Sequence, residues 1–310
     1  MLYDVIIIGG GPAGVAGGVY ASRKRLHSLL LTNTFGGQSI NSGSIENFIG
    51  FKSLSGTEFA KVLEDHLRAQ DHIEIKDGVW VKSVTEQDDG ALVVTTNDQE
   101  YHTKNLLYTL GSKYRRLNVP GEDEFEGRGV FYCSICDAPL MKDKTVAVIG
   151  GGNSGMEAVI DLLPYASKIY VLQRSDALKA DEVYQERIKK EDKVEVLLNA
   201  ETTEINGDTL VQGLSYTDNT TGEQKHLEVG GVFVAIGWVP NADLIKDLVK
   251  VNERGHIVVD HKTYKTSHPH IWAAGDVTDI IYKQINPAMG DAIKAMLSIY
   301  DAVEGRTPKE

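Results

Sequence analysis

The sequence has few cysteines, no long apolar run and no excess of basic residues. Its 310 residues include only two cysteines, Cys133 and Cys136, which are too few to stabilise a chain of this size by disulfide bonds. No apolar stretch approaches the roughly 20 residues that span a bilayer. The formal net charge is -12, and no basic stripe is present to attract nucleic acid. These absences argue against a disulfide-rich, a membrane-spanning and a nucleic-acid-binding protein.

Metal ligands and targeting signals are also missing from the sequence. The nine histidines show no paired ligand spacing and there is no second cysteine pair, so we expect no metal site. Met1 leads directly into a strand-like run without a basic segment or cleavage site, which predicts a cytoplasmic protein. In a reducing cytoplasm, a lone Cys-x-x-Cys pair is typical of redox chemistry or metal binding rather than of a structural disulfide.

What the sequence does contain is a glycine-rich turn close to its N-terminus. Residues 9–14 read Gly-Gly-Gly-Pro-Ala-Gly and follow the β-branched run Asp4–Ile8. A helix-compatible stretch then runs from Ala13 to about Lys24, and His27–Thr32 has the character of a second strand. This order is typical of a dinucleotide-binding β-turn-α-β unit.

The glycines of this turn have separable roles. Gly9 permits the tight turn, Gly11 lets the backbone approach a pyrophosphate, and Gly14 lets the helix pack against the strand. One part of the pattern is missing, because residues 31–34 read Leu-Thr-Asn-Thr where an acidic residue for the ribose hydroxyls is expected.

A second unit of the same kind lies in the middle of the chain. Residues 150–155 read Gly-Gly-Gly-Asn-Ser-Gly, with the strand Thr145–Ile149 before them, the helix Met156–Leu163 after them and the strand Lys168–Leu172 next. The 42% hydrophobic content is sufficient for two compact units. Two dinucleotide sites and one dithiol suggest an electron path from a nicotinamide through a flavin to a disulfide.

Two further segments help to organise the chain. The alternating run Ala91–Thr95 predicts an accessory sheet within the first unit. Residues 268–276 have the character of a buried strand that ends at Gly275 and Asp276. A carboxylate at that position is also consistent with a simple capped strand end.

Several motifs together resemble the low-molecular-weight thioredoxin reductase family, and the second half is especially similar to the flavoprotein subunit of alkyl hydroperoxide reductase. The resemblance covers nearly the whole chain. Besides the two glycine turns, it rests on residues 36–38 (Gly-Gly-Gln), 45–48 (Ile-Glu-Asn-Phe), 109–112 (Thr-Leu-Gly-Ser), 132–137 (Tyr-Cys-Ser-Ile-Cys-Asp), 234–237 (Val-Ala-Ile-Gly) and 274–276 (Ala-Gly-Asp).

The resemblance implies an α/β fold with two Rossmann-like domains of the three-layer ββα type. Residues 1–112 and 243–310 would form a discontinuous FAD-binding domain, and residues 113–242 an inserted NAD(P)H-binding domain that carries the dithiol. In this family the acidic residue after the second strand is commonly absent. The residues implied to bind FAD are Gly9, Gly11, Pro12, Ala13, Gly14, Thr32, Gly37, Gln38, Asn47, Gly111, Gly275, Asp276, Lys283, Gln284 and Ile285.

The choice between NADPH and NADH is ambiguous in the sequence. The residues implied to bind the nicotinamide dinucleotide are Gly152, Asn153, Ser154, Gln173, Arg174, Ser175, Lys179, Ile236 and Gly237. NADPH-using relatives carry a His-Arg-Arg run and a further arginine here, whereas NADH-using relatives carry a glutamate at the position of Gln173. Because Arg174 and Lys179 offer cations and Gln173 does not repel a phosphate, the sequence slightly favours NADPH, although both cations are also consistent with ordinary surface charges.

The dithiol segment suggests the roles of three residues. A thiolate is the attacking species in disulfide exchange. A Cys-x-x-Cys arrangement lowers the pKa of the cysteine thiol when a helix start or hydrogen bonds stabilise the thiolate. Asp137 follows directly and would act as a proton donor or relay, or alternatively as the N-cap of the next turn. The resemblance implies that Cys136 is nearer the flavin and that Cys133 attacks the partner disulfide.

Three functions remain open from the sequence. The first is a flavoprotein reductase of thioredoxin or a thioredoxin-like protein, in which a hydride passes to the flavin and electrons then reach the dithiol. The second is a reductase of a dedicated redoxin in a peroxiredoxin system. The third is a redox or nucleotide sensor that does not turn over. The family is typically homodimeric, so we also expect a homodimer.

Overall fold

The computed structural model describes residues 1–42, 44–88 and 90–306. It divides into two compact units, one formed by Met1–Lys113 with Val239–Glu310 and the other by Tyr114–Trp238. The sequence-based boundaries at 112/113 and 242/243 lie one and four residues from this division. Among the described residues, no helix is both long enough and apolar enough to cross a membrane.

The first unit alternates strands and helices and is closed by a long C-terminal helix. Its elements before the chain leaves the unit are β1 (Leu2–Tyr3), β2 (Val5–Gly10), α1 (Pro12–Arg23), β3 (Ser28–Phe35), α2 (Gly56–Arg68), β4 (Ile73–Lys76), β5 (Val81–Glu86), β6 (Leu92–Thr96), β7 (Glu100–Thr103), β8 (Leu106–Tyr108) and β9 (Ser112–Tyr114, which crosses the boundary). A short 3-10 helix covers Gly37–Asn41.

The second unit contains a further parallel sheet and a three-stranded antiparallel sheet. Its elements, followed by those of the returning chain, are β10 (Val130–Phe131), α3 (Ser134–Asp137), β11 (Thr145–Ile149), α4 (Asn153–Leu162), β12 (Lys168–Gln173), α5 (Glu182–Ile188), β13 (Val194–Leu198), β14 (Ala200–Gly207), β15 (Val211–Asp218), β16 (Glu223–Glu228), β17 (Val232–Val234), β18 (Trp238–Pro240), β19 (Ile271–Ala273) and α6 (Ile285–Val303). A 3-10 helix covers Ala138–Met141.

The central sheet of the first unit is parallel and has the order β19-β8-β2-β3-β4. All six residues of β2 are buried, because a central parallel strand is covered on both faces. The C-terminal strand β19 pairs with β8, with Ile271 opposite Leu106, and α6 packs against α1. The two distant parts of the chain therefore share one sheet and one core. A second sheet, β1-β7-β6-β5, lies in the same unit.

The second unit has three layers, and its sequence pattern explains them. The parallel sheet β10-β17-β11-β12-β13 alternates its side chains between two cores. Val146 and Val148 of β11 face the core that contains residues of α4 and α5. Ala147 and Ile149 face the core shared with the antiparallel sheet β14-β15-β16. The predicted α/β class with two dinucleotide-binding folds is confirmed.

Most boundaries of the predicted strands and helices are close to the observed ones, and the bounds of the strand over residues 268–276 are wrong. The predicted strand Thr145–Ile149 is observed with the same bounds. The predicted strand over residues 268–276 is shortened to Ile271–Ala273, because the chain turns at His268 and again at Gly275. The helix predicted over Met156–Leu163 is α4, which begins earlier, at Asn153, because it starts at the glycine turn itself.

Candidate functional site

The dithiol lies at the start of a single helical turn in the second unit. Cys133 occupies the N-cap position of α3 and is joined to Cys136 by a disulfide, with 5.3 Å between their Cα atoms. The backbone N–H of Asp137 donates to the Cys133 carbonyl at 3.0 Å, which closes the turn. The Ser134 hydroxyl, between the two cysteines, donates to the Asp161 carboxylate of α4 at 2.7 Å.

Asp137 has the properties of a proton-holding group. Burial raises the pKa of its carboxyl to about 7, because the charged form loses hydration. It stands at the N-cap position of the following 3-10 helix, but its side chain makes no capping hydrogen bond there. Asp137 is thus the N-cap by position, as the alternative interpretation expected, although its side chain accepts no capping hydrogen bond.

The first glycine turn is built as its sequence predicts. Gly9 has φ +119°, and a Cβ on it would lie 2.7 Å from the Thr109 carbonyl oxygen. A Cβ on Gly14 would collide with the Gly9 carbonyl oxygen. Gly11 is the N-cap of α1, which continues through Pro12 and Ala13. A Cβ on Gly37 would lie 3.2 Å from the Cα of Gly11. The absence of side chains at these positions lets an anionic group approach the helix N-terminus.

Other residues expected at the flavin site lie around this turn. A Cβ on Gly10 would collide with the hydroxyl of Thr32, which donates to the Thr34 carbonyl at 2.6 Å. The Gln38 side-chain amide donates to the Ser112 carbonyl, directly after Gly111. The Asn47 side-chain amide donates to the Gln284 side chain at 3.1 Å.

The C-terminal part of the first unit completes the group. Gly275, with φ +76°, lies against Ala13, since its Cβ would be 3.2 Å from that of Ala13. Asp276 follows it, and Lys283 Nζ donates to the Asp276 carbonyl at 2.8 Å. Ile285 begins α6. Residues from both ends of the chain are thus brought together around the first turn.

Asp276 provides the test of whether a flavin fits. Its Oδ1 atom is buried and has no hydrogen-bond partner among the described residues. Burial raises the pKa of its carboxyl to about 6, with Lys283 opposing the shift. A buried acceptor without a partner is costly unless a ligand hydroxyl satisfies it. The ribityl hydroxyls of FAD are suitable donors, so the residues present fit the cofactor.

The second glycine turn repeats the geometry of the first. Gly150 has φ +123°, and its Cβ would lie 3.3 Å from Ile236 Cγ2, directly before Gly237. Gly152 is the N-cap of α4, and a Cβ on it would enter open space. Asn153 and Ser154 form the exposed first turn of this helix. The Asn153 side chain exchanges hydrogen bonds with Asp181, at 3.0 and 2.8 Å.

The segment after β12 folds back onto this turn. Gln173 is buried, and its Oε1 accepts the backbone N–H of Gly151 at 3.0 Å. Its side-chain amide donates to the Ser175 hydroxyl. The Lys179 backbone N–H donates to the Gly151 carbonyl at 2.7 Å, whereas Arg174 and Lys179 have exposed side chains. The structure thus brings the predicted dinucleotide residues to one edge of the sheet.

Three acidic residues near the predicted sites were not expected from the sequence. Asp161 holds Ser134, and Asp181 holds Asn153. Glu122 is 1% exposed and accepts hydrogen bonds from the hydroxyl of Tyr132, which precedes the first cysteine, and from two backbone N–H groups. No motif marks these acids. Asp161 and Asp181 bond residues 27 and 28 positions away, and Glu122 acts through a local turn that carries no recognised sequence pattern. In the described part of the chain, no group of three or more His, Cys, Asp or Glu residues could hold a metal ion.

Comparison with known proteins gives consistent matches. Residues 3–292 match the family described as pyridine nucleotide-disulphide oxidoreductase. The chain is 43% identical over 299 residues to a protein of Bacillus subtilis named NADH dehydrogenase, with 96% of this chain and 58% of that protein covered. It is 40% identical over 301 residues to a subunit of alkyl hydroperoxide reductase from Staphylococcus epidermidis, with 97% and 59% covered. The chain therefore spans less than two thirds of the length of these curated relatives.

Solved structures match over nearly their whole length. A thioredoxin reductase from Streptococcus pyogenes superposes with a TM-score of 0.92 at 34% identity, covering 98% of this chain and 99% of that one. A thioredoxin reductase from T. acidophilum is 40% identical and has a TM-score of 0.65, with 97% and 98% covered.

Proposed function

We propose, from the premise that this chain belongs to the pyridine nucleotide-disulphide oxidoreductase family, that it passes electrons from NAD(P)H through FAD and the Cys133–Cys136 disulfide to thioredoxin or a thioredoxin-like protein. Members of this family use FAD and a nicotinamide dinucleotide. The observation that carries the proposal is a disulfide beside the partly buried acid Asp137, in a unit that also contains a dinucleotide turn.

The residues of the first unit are suited to hold FAD, which when bound supplies a two-electron carrier between the nicotinamide and the dithiol. The start of α1 at Gly11 would receive the pyrophosphate, and Asp276 would accept a hydrogen bond from the ribityl chain. Asp137 holds a proton near neutral pH and can give it to a cysteine sulfur as the disulfide opens, since its pKa is about 7.

Thioredoxin reductases among the solved structures support a thioredoxin-like partner. The relative from alkyl hydroperoxide reductase supports a second candidate, a dedicated redoxin in a peroxiredoxin system. Relatives of both kinds match nearly the whole of this chain, so their likeness supports both candidate partners. A cytoplasmic location and a homodimeric state belong to the same proposal.

The dinucleotide preference is proposed to be modest. Gln173 supports acceptance of NADPH, because it brings no charge that repels a 2'-phosphate. The Bacillus subtilis relative named NADH dehydrogenase supports NADH as the second candidate.

Cysteine variants test the electron path. We expect Cys133→Ser to abolish turnover with a protein disulfide while leaving reduction of the flavin by NAD(P)H intact, because only the exchange step needs that sulfur. Cys136→Ser should have the same effect and should also remove any thiolate-to-flavin charge-transfer absorbance. Steady-state consumption of NAD(P)H and stopped-flow absorbance measure the two steps. Parental turnover in both variants would disprove the electron path, and absence of turnover in the parent protein would favour a sensor.

A further inference from the structure

The segment between the two cysteines is hydrogen-bonded to a neighbouring helix. Ser134 is the first residue of α3 and is partly buried, and its hydroxyl donates to Asp161 Oδ2 at 2.7 Å. Ser134 follows Cys133 directly, so the Asp161 carboxylate is held close to the residue that carries the first sulfur.

The position of Asp161 within α4 is unfavourable for the helix itself. Asp161 lies one residue before the last residue of α4, and that last turn contains no basic residue. A carboxylate near a helix C-terminus interacts unfavourably with the helix dipole. A hydrogen bond from Ser134 offsets part of this cost. A carboxylate kept at an unfavourable helix position and aimed at the dithiol turn suggests a role in the chemistry of the cysteines.

We propose that Asp161 is a positioning residue of the dithiol, whose negative charge, aimed at the cysteine turn by the Ser134 hydroxyl, restrains ionisation of the Cys133 thiol. The inference rests on the proposed function in that the reduced dithiol is the reacting species. Disulfide reduction takes up two electrons and two protons to give two thiols. A nearby negative charge disfavours loss of the proton from the thiol, and so lowers the thiolate fraction at neutral pH.

The charged groups near the turn share one sign. The helix α3 packs against α4 and against the 3-10 helix Ala138–Met141. The charged residues on these three elements are Asp137, Glu157 and Asp161. Glu157 accepts the Tyr184 hydroxyl at 3.0 Å. All three are acidic. Asp137 holds its proton up to about pH 7, and both Asp137 and Glu157 are present in the parent and in the Asp161 variants, so a comparison at each pH isolates the Asp161 carboxylate.

Alkylation of the reduced protein tests the inference. The protein, with its thiols reduced and the reductant removed, is treated with iodoacetamide between pH 5 and 10, and the modified cysteine is identified by mass spectrometry. We expect Asp161→Asn, which keeps the shape and an accepting oxygen, to raise the alkylation rate of Cys133 at pH 7 by about 3- to 10-fold. Asp161→Glu should restore a rate close to the parental one.

Two further variants separate charge from structure. Ser134→Ala leaves the carboxylate in place but releases it, so its rate should lie between those of the parent and Asp161→Asn. Glu186→Gln removes an exposed carboxylate from α5 in the same unit and should leave the profile unchanged. A parental profile in Asp161→Asn, or a larger effect of Ser134→Ala than of Asp161→Asn, would overturn the proposal. Alkylation requires neither nicotinamide nor partner protein. The alkylation rates therefore test the role of Asp161 even if the proposed function is wrong.

Discussion

At the scale of single residues, Asp276 combines a cost in the flavin-free protein with the role in flavin binding that we propose for it. Its folded pKa of about 6 lies above the ordinary value of 3.8, so the folded apoprotein binds the proton more tightly than the unfolded chain. Stability contributed by this group is present at low pH and is lost as the pH rises through 6. The ionised carboxylate therefore destabilises the apoprotein at neutral pH.

We expect Asp276→Asn to stabilise the apoprotein at pH 7.5 by up to about 3 kcal/mol, because the amide has no ionisation to suppress. Near pH 4 the gain should nearly vanish, since the parental carboxyl is then protonated in the folded state. Urea unfolding of flavin-free protein at both pH values measures the effect. An equal gain at pH 4 and pH 7.5 would show that ionisation of Asp276 is not its cause.

Gln173 is the residue through which dinucleotide choice can be tested. Gln173→Glu keeps an oxygen to accept the Gly151 N–H, so the loop should be retained. We expect it to favour NADH, by offering an acceptor to the ribose hydroxyls and a charge that repels the 2'-phosphate. In the parent, Arg174 and Lys179 should form partly screened ion pairs with the 2'-phosphate, worth about 1–2 kcal/mol together. This energy should limit the preference for NADPH over NADH to roughly 5- to 30-fold.

The companion variant Ser175→Arg should lower the KM for NADPH and leave that for NADH nearly unchanged, because it adds a cation beside Arg174. Measuring kcat/KM with both dinucleotides in each variant decides between these outcomes. If the ratio is insensitive to both changes, the residues after β12 do not contact the adenosine ribose.

At the scale of elements, the segment that leads into α3 is anchored by the buried carboxylate of Glu122. Glu122 accepts from the backbone N–H groups of Leu117 and Asn118 at 2.9 and 2.7 Å, and from the Tyr132 hydroxyl at 2.8 Å. Arg116 faces the Tyr132 ring at 4.9 Å and lies 3.9 Å from Glu122. The residue before Cys133 is thus fixed to a turn earlier in the same unit.

We expect Glu122→Gln to destabilise the protein by about 2–4 kcal/mol, because an amide has one accepting oxygen where three donors converge and Arg116 loses a buried counter-ion. Asp123→Asn is the matched control: Asp123 also pairs with Arg116, but its side chain is 90% exposed, and its loss should cost less than about 1 kcal/mol. Urea unfolding curves compare the two. Equal losses would show that burial of Glu122 does not matter.

At the scale of the whole molecule, the first unit depends on both ends of the chain. The strand β19 pairs with β8, α6 packs against α1, and Gly275 lies against Ala13. We expect one FAD per chain of 310 residues and none in a chain that ends at residue 245, since the latter lacks β19, α6 and Asp276. The control is a chain ending at Arg306, which should retain the flavin. Flavin absorbance per chain measures the outcome, and a yellow protein ending at residue 245 would contradict the discontinuous site.

The sequence by itself determined the two glycine turns, the strands and helices beside them, and the cysteine pair. Each of these depends on residues adjacent in the chain: the turn at Gly9 needs a backbone conformation that glycine adopts easily, and the run before it can only be a buried strand. The tertiary structure decided which distant residues meet, including Ser134 with Asp161 and Gln173 with Gly151. The packing of α4 beside α3 and the return of the chain after β12 create these contacts. Because the packing of the core sets the distance between such elements, the spacing of residues in the sequence does not predict a hydrogen bond between them.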